Sequence, residues 1–151
     1  MKTSKDPRHQ SRRIAVAYVY SKESNSASSY SASESLDEII EVSLDGLEIK
    51  NYDKNLLEII ASELSKNVSE YKNTIVKNSI DWDISKMYRM DLSILIVATC
   101  EMLTKQTPPK VIIDEAVELA KEFGSEESSK FINGILGGIA KSLIKFKEYD
   151  N

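Results

Sequence analysis

Apolar residues recur along this chain at spacings of three and four, the repeat that lines one face of an α-helix. Leu36, Ile39, Ile40 and Leu44 form one stripe and Leu56, Ile59, Ile60 and Leu64 a second, with Gly46 and Asn51 marking the break between them. Val68, Tyr71, Ile75 and Val76 continue the period in an amphipathic piece that runs to Ile80 and leads into Trp82. Asp83 or Ser85 stands where it can cap a helix through Met87, Met90, Ile94, Leu95, Val97, Ala98 and Met102. Between Ile94 and Cys100 that helix has almost no polar face, which predicts a buried central element. Pro108-Pro109 ends it and opens the next helix, because proline is tolerated in a first turn but not in an interior. Ile112, Ala116, Leu119 and Phe123 follow at helical spacing, with Gly124 placed as a stop and Ser125 as the next N-cap. The last helix carries Phe131, Ile132, Ile135, Leu136, Ile139 and Leu143. Gly134 and Gly138, four apart on one of its faces, predict the close approach of another helix.

Two stretches do not follow this pattern. In Ile14-Ala15-Val16-Ala17-Tyr18-Val19-Tyr20, alternate β-branched and aromatic residues favour a strand, while Ile14, Ala17, Tyr18 and Ser21 would equally line a helix. Residues 21–35 hold eight serines and are too polar to bury, so they are read as a flexible loop between two helices.

Composition narrows the choice further. A chain of 151 residues suits one compact domain or two small helical bundles, and 5 Gly with 3 Pro are too few to turn an all-β sandwich. With 41% hydrophobic and 29% charged residues, wholesale disorder is excluded. One Cys and one His do not suffice for a zinc site, a disulfide framework or a Ser-His-Asp or Cys-His constellation. Cys100, inside an apolar run, reads as a small core residue in a reducing compartment. No run reaches the roughly 18 apolar residues of a membrane span, and the charged amino terminus lacks the apolar stretch of a secretory signal, so a cytoplasmic protein is expected.

Charge is where the chain departs from a generic solvated surface. The net charge of −4 divides into +4 over residues 1–13, where Lys2, Lys5, Arg8, Arg12 and Arg13 face only Asp6, and −8 over the remainder, with 15 basic and 23 acidic side chains. A basic arm on an acidic body is either a solubilising tail or an anion-binding strip, with nucleic acid the commonest polyanion. Asp114, Glu118 and Glu122 form an i, i+4, i+8 ridge, read as a solvated face whose first-turn acids suit the helix dipole. Without a second histidine there is no Glu-x-x-His metal site, and no Gly-rich phosphate loop occurs. These residues favour a binding protein over an enzyme, without cofactor or metal.

Two segments resemble the transcription antitermination factor NusB family. Trp82 through Glu101, "WDISKMYRMDLSILIVATCE", is one. The second is more specific: the pattern V-x-I-[ND]-E-A-[VI]-E-L-A-K-x-F-G is met from Val111 to Gly124, and S-x-K-F-[VI]-N-G-[VI]-L from Ser128 to Leu136. "RRIAVAYVY" resembles the family's amino-terminal R-x-x-A-[VL]-Q-x-L-Y through Arg12, Ala15, Val16, Val19 and Tyr20. The resemblance implies an all-α fold of about seven helices in two helical subdomains, residues about 8–80 and 81–147, in one NusB-like RNA-binding domain over 1–151 with its basic arm at 1–13. It also implies a helix for 14–20.

The same resemblance implies function. The family is not enzymatic; it binds the boxA element of nascent RNA together with ribosomal protein NusE, and joins the antitermination complex on RNA polymerase. Lys2, Lys5, Arg8, Arg12 and Arg13 inherit the RNA-binding role as a group, and five phosphate contacts on a single strand imply a log-log salt slope of roughly −3.5. Phe123 and Phe131 are candidates for stacking on unstacked bases, against a core reading that their apolar helix faces favour. Glu127 aligns with an acidic position near the RNA surface. Tyr20 and Asp91 align with positions facing NusE, Tyr20 as an amphipathic anchor and Asp91 as a counter-charge for a basic partner, against simple capping or surface charge. The family's Gln after "A-V" is Ala17 here, its Arg in "ILR" is Ile96, and its Tyr before Glu101 is Cys100. Those changes keep open an adaptor that holds its protein partner but has lost sequence-specific RNA binding. Monomer and homodimer are both compatible with the family.

Overall fold

The computed structural model describes residues 6–24, 30, 33–79 and 83–149, without the side chains of 33–35 and 144–149. These residues form six α-helices and no strand: α1 (Pro7–Glu23), α2 (Ser33–Gly46), α3 (Lys54–Lys77), α4 (Arg89–Thr104), α5 (Pro109–Phe123) and α6 (Glu126–Tyr149), with a 3-10 turn at Ile84–Lys86. The chain divides into two compact units between Val68 and Ser69. That division lies beside Asn67, whose φ of −131° and ψ of 16° kink α3. The two apolar stripes read before and after Asn67 therefore lie on one bent helix.

In the first unit, α1 packs on α2. Asp6 caps α1 by accepting the Arg8 N–H at 3.0 Å, and Pro7 occupies the first turn, where its missing N–H costs nothing. The open choice at 14–20 is decided for helix: Ile14, Ala15, Val16, Tyr18 and Val19 are all buried, a distribution that no alternating strand produces. The serine-rich stretch is shorter than expected at both ends, since α1 runs to Glu23 and α2 starts at Ser33. Within it, Tyr30 stacks edge-on to Tyr18 at 5.8 Å and donates to Glu23 Oε2 at 2.7 Å. Residues 25–29, 31 and 32 lie outside the described residues.

The break after α2 is a Schellman turn, in which Ile49 N–H reaches Leu44 O at 2.9 Å and Glu48 N–H reaches Asp45 O at 3.2 Å. Its left-handed residue is Glu48, at φ 53°, and not Gly46, which sits in the helix. Ile49, at the position whose apolar contact usually accompanies this motif, is buried.

Asp53 then starts α3 and ties it to α1. Its Oδ1 accepts the Leu56 N–H at 3.0 Å, an N-cap bond, while buried Ser11 Oγ donates to Asp53 O at 2.6 Å and accepts from Asp53 N–H at 2.7 Å. Asp53→Ala is expected to lower stability by about 1 kcal/mol in urea unfolding, and Asp53→Asn, which also caps, to restore most of it.

In the second unit, α4, α5 and α6 pack against one another. The helix expected from Asp83 or Ser85 is interrupted: Asp83 accepts the Ser85 N–H at 3.2 Å and caps only the 3-10 turn, and Met87 and Tyr88 are extended before α4 begins. Met87 is buried from extended backbone, so its apolar side chain serves packing and not the helical repeat. From Asp91 to Met102 every residue of α4 is buried, as its apolar surround requires, Cys100 included. Val76, read on the apolar side of α3, is 46% exposed, and Ile80 and Trp82 lie outside the described residues.

The close of this unit shows where small residues matter. A Cβ on Gly124 would lie 2.9 Å from both Ala120 O and Ser128 Oγ, so only glycine lets the α5–α6 turn close this tightly. Ser125 caps α6 as expected, its Oγ accepting the Ser128 N–H at 3.1 Å. Gly138 does face a close neighbour, with Asn78 Oδ1 2.8 Å from its would-be Cβ, but Gly134 opens on empty space and serves no such approach. On α5 the ridge of Asp114, Glu118 and Glu122 is exposed, whereas Glu115 is buried. None of these acids lies in the first turn, because the helix already starts at Pro109; the dipole does not account for them. Among the described residues no helix is long and apolar enough to cross a membrane.

Candidate nucleic-acid interface

Arg8 and Arg12 stand one turn apart on the same side of α1 and Arg13 follows on the next side, yet the structure gives the three very different exposure. Arg8, in the first turn, has a side chain 73% exposed, with Nε 4.0 Å from Asp53 Oδ2. An ion pair that long and that open to water restrains Arg8 only weakly. Arg12 is 4% exposed, on the buried side of α1 with Ser11 and Ala15. Arg13 lies between these extremes, its Nη1 donating to Gln10 Oε1 at 2.7 Å and to Leu47 O at 3.3 Å, so its guanidinium is held toward the turn after α2. Lys2 and Lys5 lie outside the described residues. Tyr20, near the other end of α1, is 38% exposed.

A separate pocket of about 150 Å³ lies in the second unit, where the turn before α4 meets the start of α6. Asp91, Glu127 and Phe131 all line it, together with Lys86, Tyr88 and Ser128. Glu127 is exposed and Phe131 half-buried, so the ring shows part of its surface to the pocket. Phe123, at the end of α5, is half-buried too but does not line it. Periodicity did not reveal Tyr88, at 79% the most exposed large apolar side chain among the described residues; an aromatic in the short polar segment ahead of a buried helix was its only sequence signal.

Asp91 is neither surface charge nor cap. It is buried in the first turn of α4, and burial raises its carboxyl above the ordinary value of 3.8 while a hydrogen bond from Ser128 pulls it down. The folded state thus holds the Asp91 proton more tightly than the unfolded chain does. The stability this contributes is full below about pH 3.8 and is lost as pH rises through the folded value. Urea unfolding of the wild type should weaken relative to Asp91→Asn as pH rises from about 4 to 7, since asparagine keeps an acceptor for Ser128 without the buried charge. A difference that stays constant across that range would contradict this assignment.

An exposed guanidinium at one place and a partly open ring beside two carboxyl groups at the other are carried by two units of packed helices, the architecture of an all-α protein. The NusB family profile matches residues 9–141. The transcription antitermination protein NusB of Fusobacterium nucleatum is 39% identical over 117 residues, 74% of this chain and 76% of that one. T. maritima NusB superimposes with a TM-score of 0.71 at 32% identity over 93% of each chain. A chain from the crystal structure of antitermination factors NusB and NusE in complex with dsRNA superimposes with a TM-score of 0.68 at 21% identity, covering 89% of this chain and 96% of its own, a likeness of fold. The chain belongs to the NusB family of transcription antitermination proteins.

Proposed function

We propose that this protein binds boxA-type single-stranded RNA together with ribosomal protein NusE, in the cytoplasm, and joins the antitermination complex on RNA polymerase. The observation that carries the reading is the exposed cationic start of α1 in a chain that matches antitermination proteins from residue 9 to residue 141. Arg8 and Arg13, with Lys2 and Lys5 ahead of them, supply the phosphate contacts. Arg12 acts from within the helix, since a guanidinium 4% exposed does not reach a phosphate chain in water. Four phosphate contacts instead of five reduce the expected log-log salt slope to about −2.8.

Sequence preference comes from the other place. Phe131 offers a partly open ring on which an unstacked base can lie, and Glu127 beside it accepts from base amino groups and repels misplaced phosphate. Phe123, half-buried at the end of α5, is a second, separate candidate for stacking. Tyr20 presents an amphipathic ring to NusE, while Asp91, 5% exposed, acts toward that partner through the pocket wall it shapes with Ser128.

Titration of labelled boxA-type RNA at two salt concentrations, with and without NusE, tests the proposal. Salt-dependent binding that tightens with NusE supports it. Capture of NusE without any measurable RNA affinity replaces it with the adaptor reading, in which only the protein surface is used.

A further inference from the structure

Beside Arg13, the Schellman turn after α2 walls a hollow of about 670 Å³. Gln10, Arg13, Glu48, Lys50 and Asn51 line it, with Leu47 and Ile49 at its base. The walls are defined: the turn is locked by its two crossing backbone bonds and by buried Ile49. Lys50 and Asn51 are exposed, and neither side chain has a polar partner among the described residues. Arg13 comes from the adjacent helix, so two cations from different elements converge on one space, against the single acid Glu48.

We infer that this hollow holds one nucleotide of the bound RNA, with Lys50 on its phosphate and Asn51 at its base or ribose, extending the track from α1 onto the α2–α3 turn. The inference rests on the RNA-binding function proposed above. A flexible lysine needs only proximity to neutralise a phosphate, while Asn51 supplies both donor and acceptor without adding charge. Glu48 is then the element that limits affinity, because its carboxylate shares the space with the phosphate.

Fluorescence titration of boxA-type RNA over a salt series, with the full chain, tests this. One phosphate contact on a single strand contributes about 0.7 to the log-log slope, equivalent to about fivefold in affinity near 0.1 M salt. Lys50→Ala is expected to lose about that factor and flatten the slope by about 0.7, and Glu48→Gln to bind more tightly than the wild type. Lys50 is exposed, so circular dichroism should show the fold unchanged. Wild-type RNA affinity and slope in both variants would overturn the inference while leaving the proposed function standing. Absence of RNA binding by the wild type itself would overturn both.

Discussion

Replacing Lys2, Lys5 and Arg8 together by alanine is expected to lower affinity for boxA-type RNA about a hundredfold near 0.1 M salt and to flatten the log-log salt slope by about 2. Each phosphate contact on a single strand is worth about fivefold at that salt, and three independent contacts multiply. Substitution is the proper experiment because truncation of residues 1–13 would do more than remove charge. It would take away the Asp6 cap, the Pro7 carbonyl that accepts the Asp53 N–H at 3.1 Å, and the buried Ser11 hydroxyl that joins α1 to the start of α3. Loss of binding after such a truncation would therefore not separate electrostatics from unfolding. In the triple variant, a slope equal to that of the wild type would remove the arm from the account of RNA binding.

Leu95→Ala is expected to cost about 3 kcal/mol in urea unfolding, the largest stability effect anticipated for a single side chain here. Leu95 is fully buried in the middle of α4, the helix against which α5 and α6 pack. A truncated leucine there loses its transfer free energy and leaves a cavity that three packed helices cannot readily close. Val76→Ala removes apolar atoms from a position 46% exposed and should stay within about 0.5 kcal/mol of the wild type. Equal effects at the two positions would contradict the burial of α4.

Particular residues show what was legible in the chain alone. The run from Ile94 to Cys100 announced a buried helix because only the small hydroxyl of Thr99 interrupts its apolar residues, and it is buried on every side. Ser125 announced its cap because a hydroxyl just ahead of a helical repeat has an N–H to accept within its own turn. Gly46 marked the break correctly as the last residue of α2, but the left-handed position after it is held by Glu48 in a hydrogen-bonded turn with a buried Ile49. Met87 misled, since an apolar residue at helical spacing is buried equally well from extended backbone.

The candidate site divides along the same line. Sequence marked Arg8, Arg12 and Arg13 as one basic group, and only the helix placed Arg8 in water, Arg12 inside and Arg13 against the Leu47 carbonyl. It marked Asp91 and Phe131 separately, without placing them in one pocket with Glu127.

By itself, then, the amino-acid order determined the helices, their buried faces and the family, since each depends on spacing within a few turns or on a run of matched residues. Tertiary structure decided which cations reach solvent, that Asp91 is desolvated beside Ser128, and that the turn after α2 opens a hollow next to α1. Those outcomes depend on side chains meeting from segments far apart in the chain, and local periodicity carries no information about which distant residue will stand opposite.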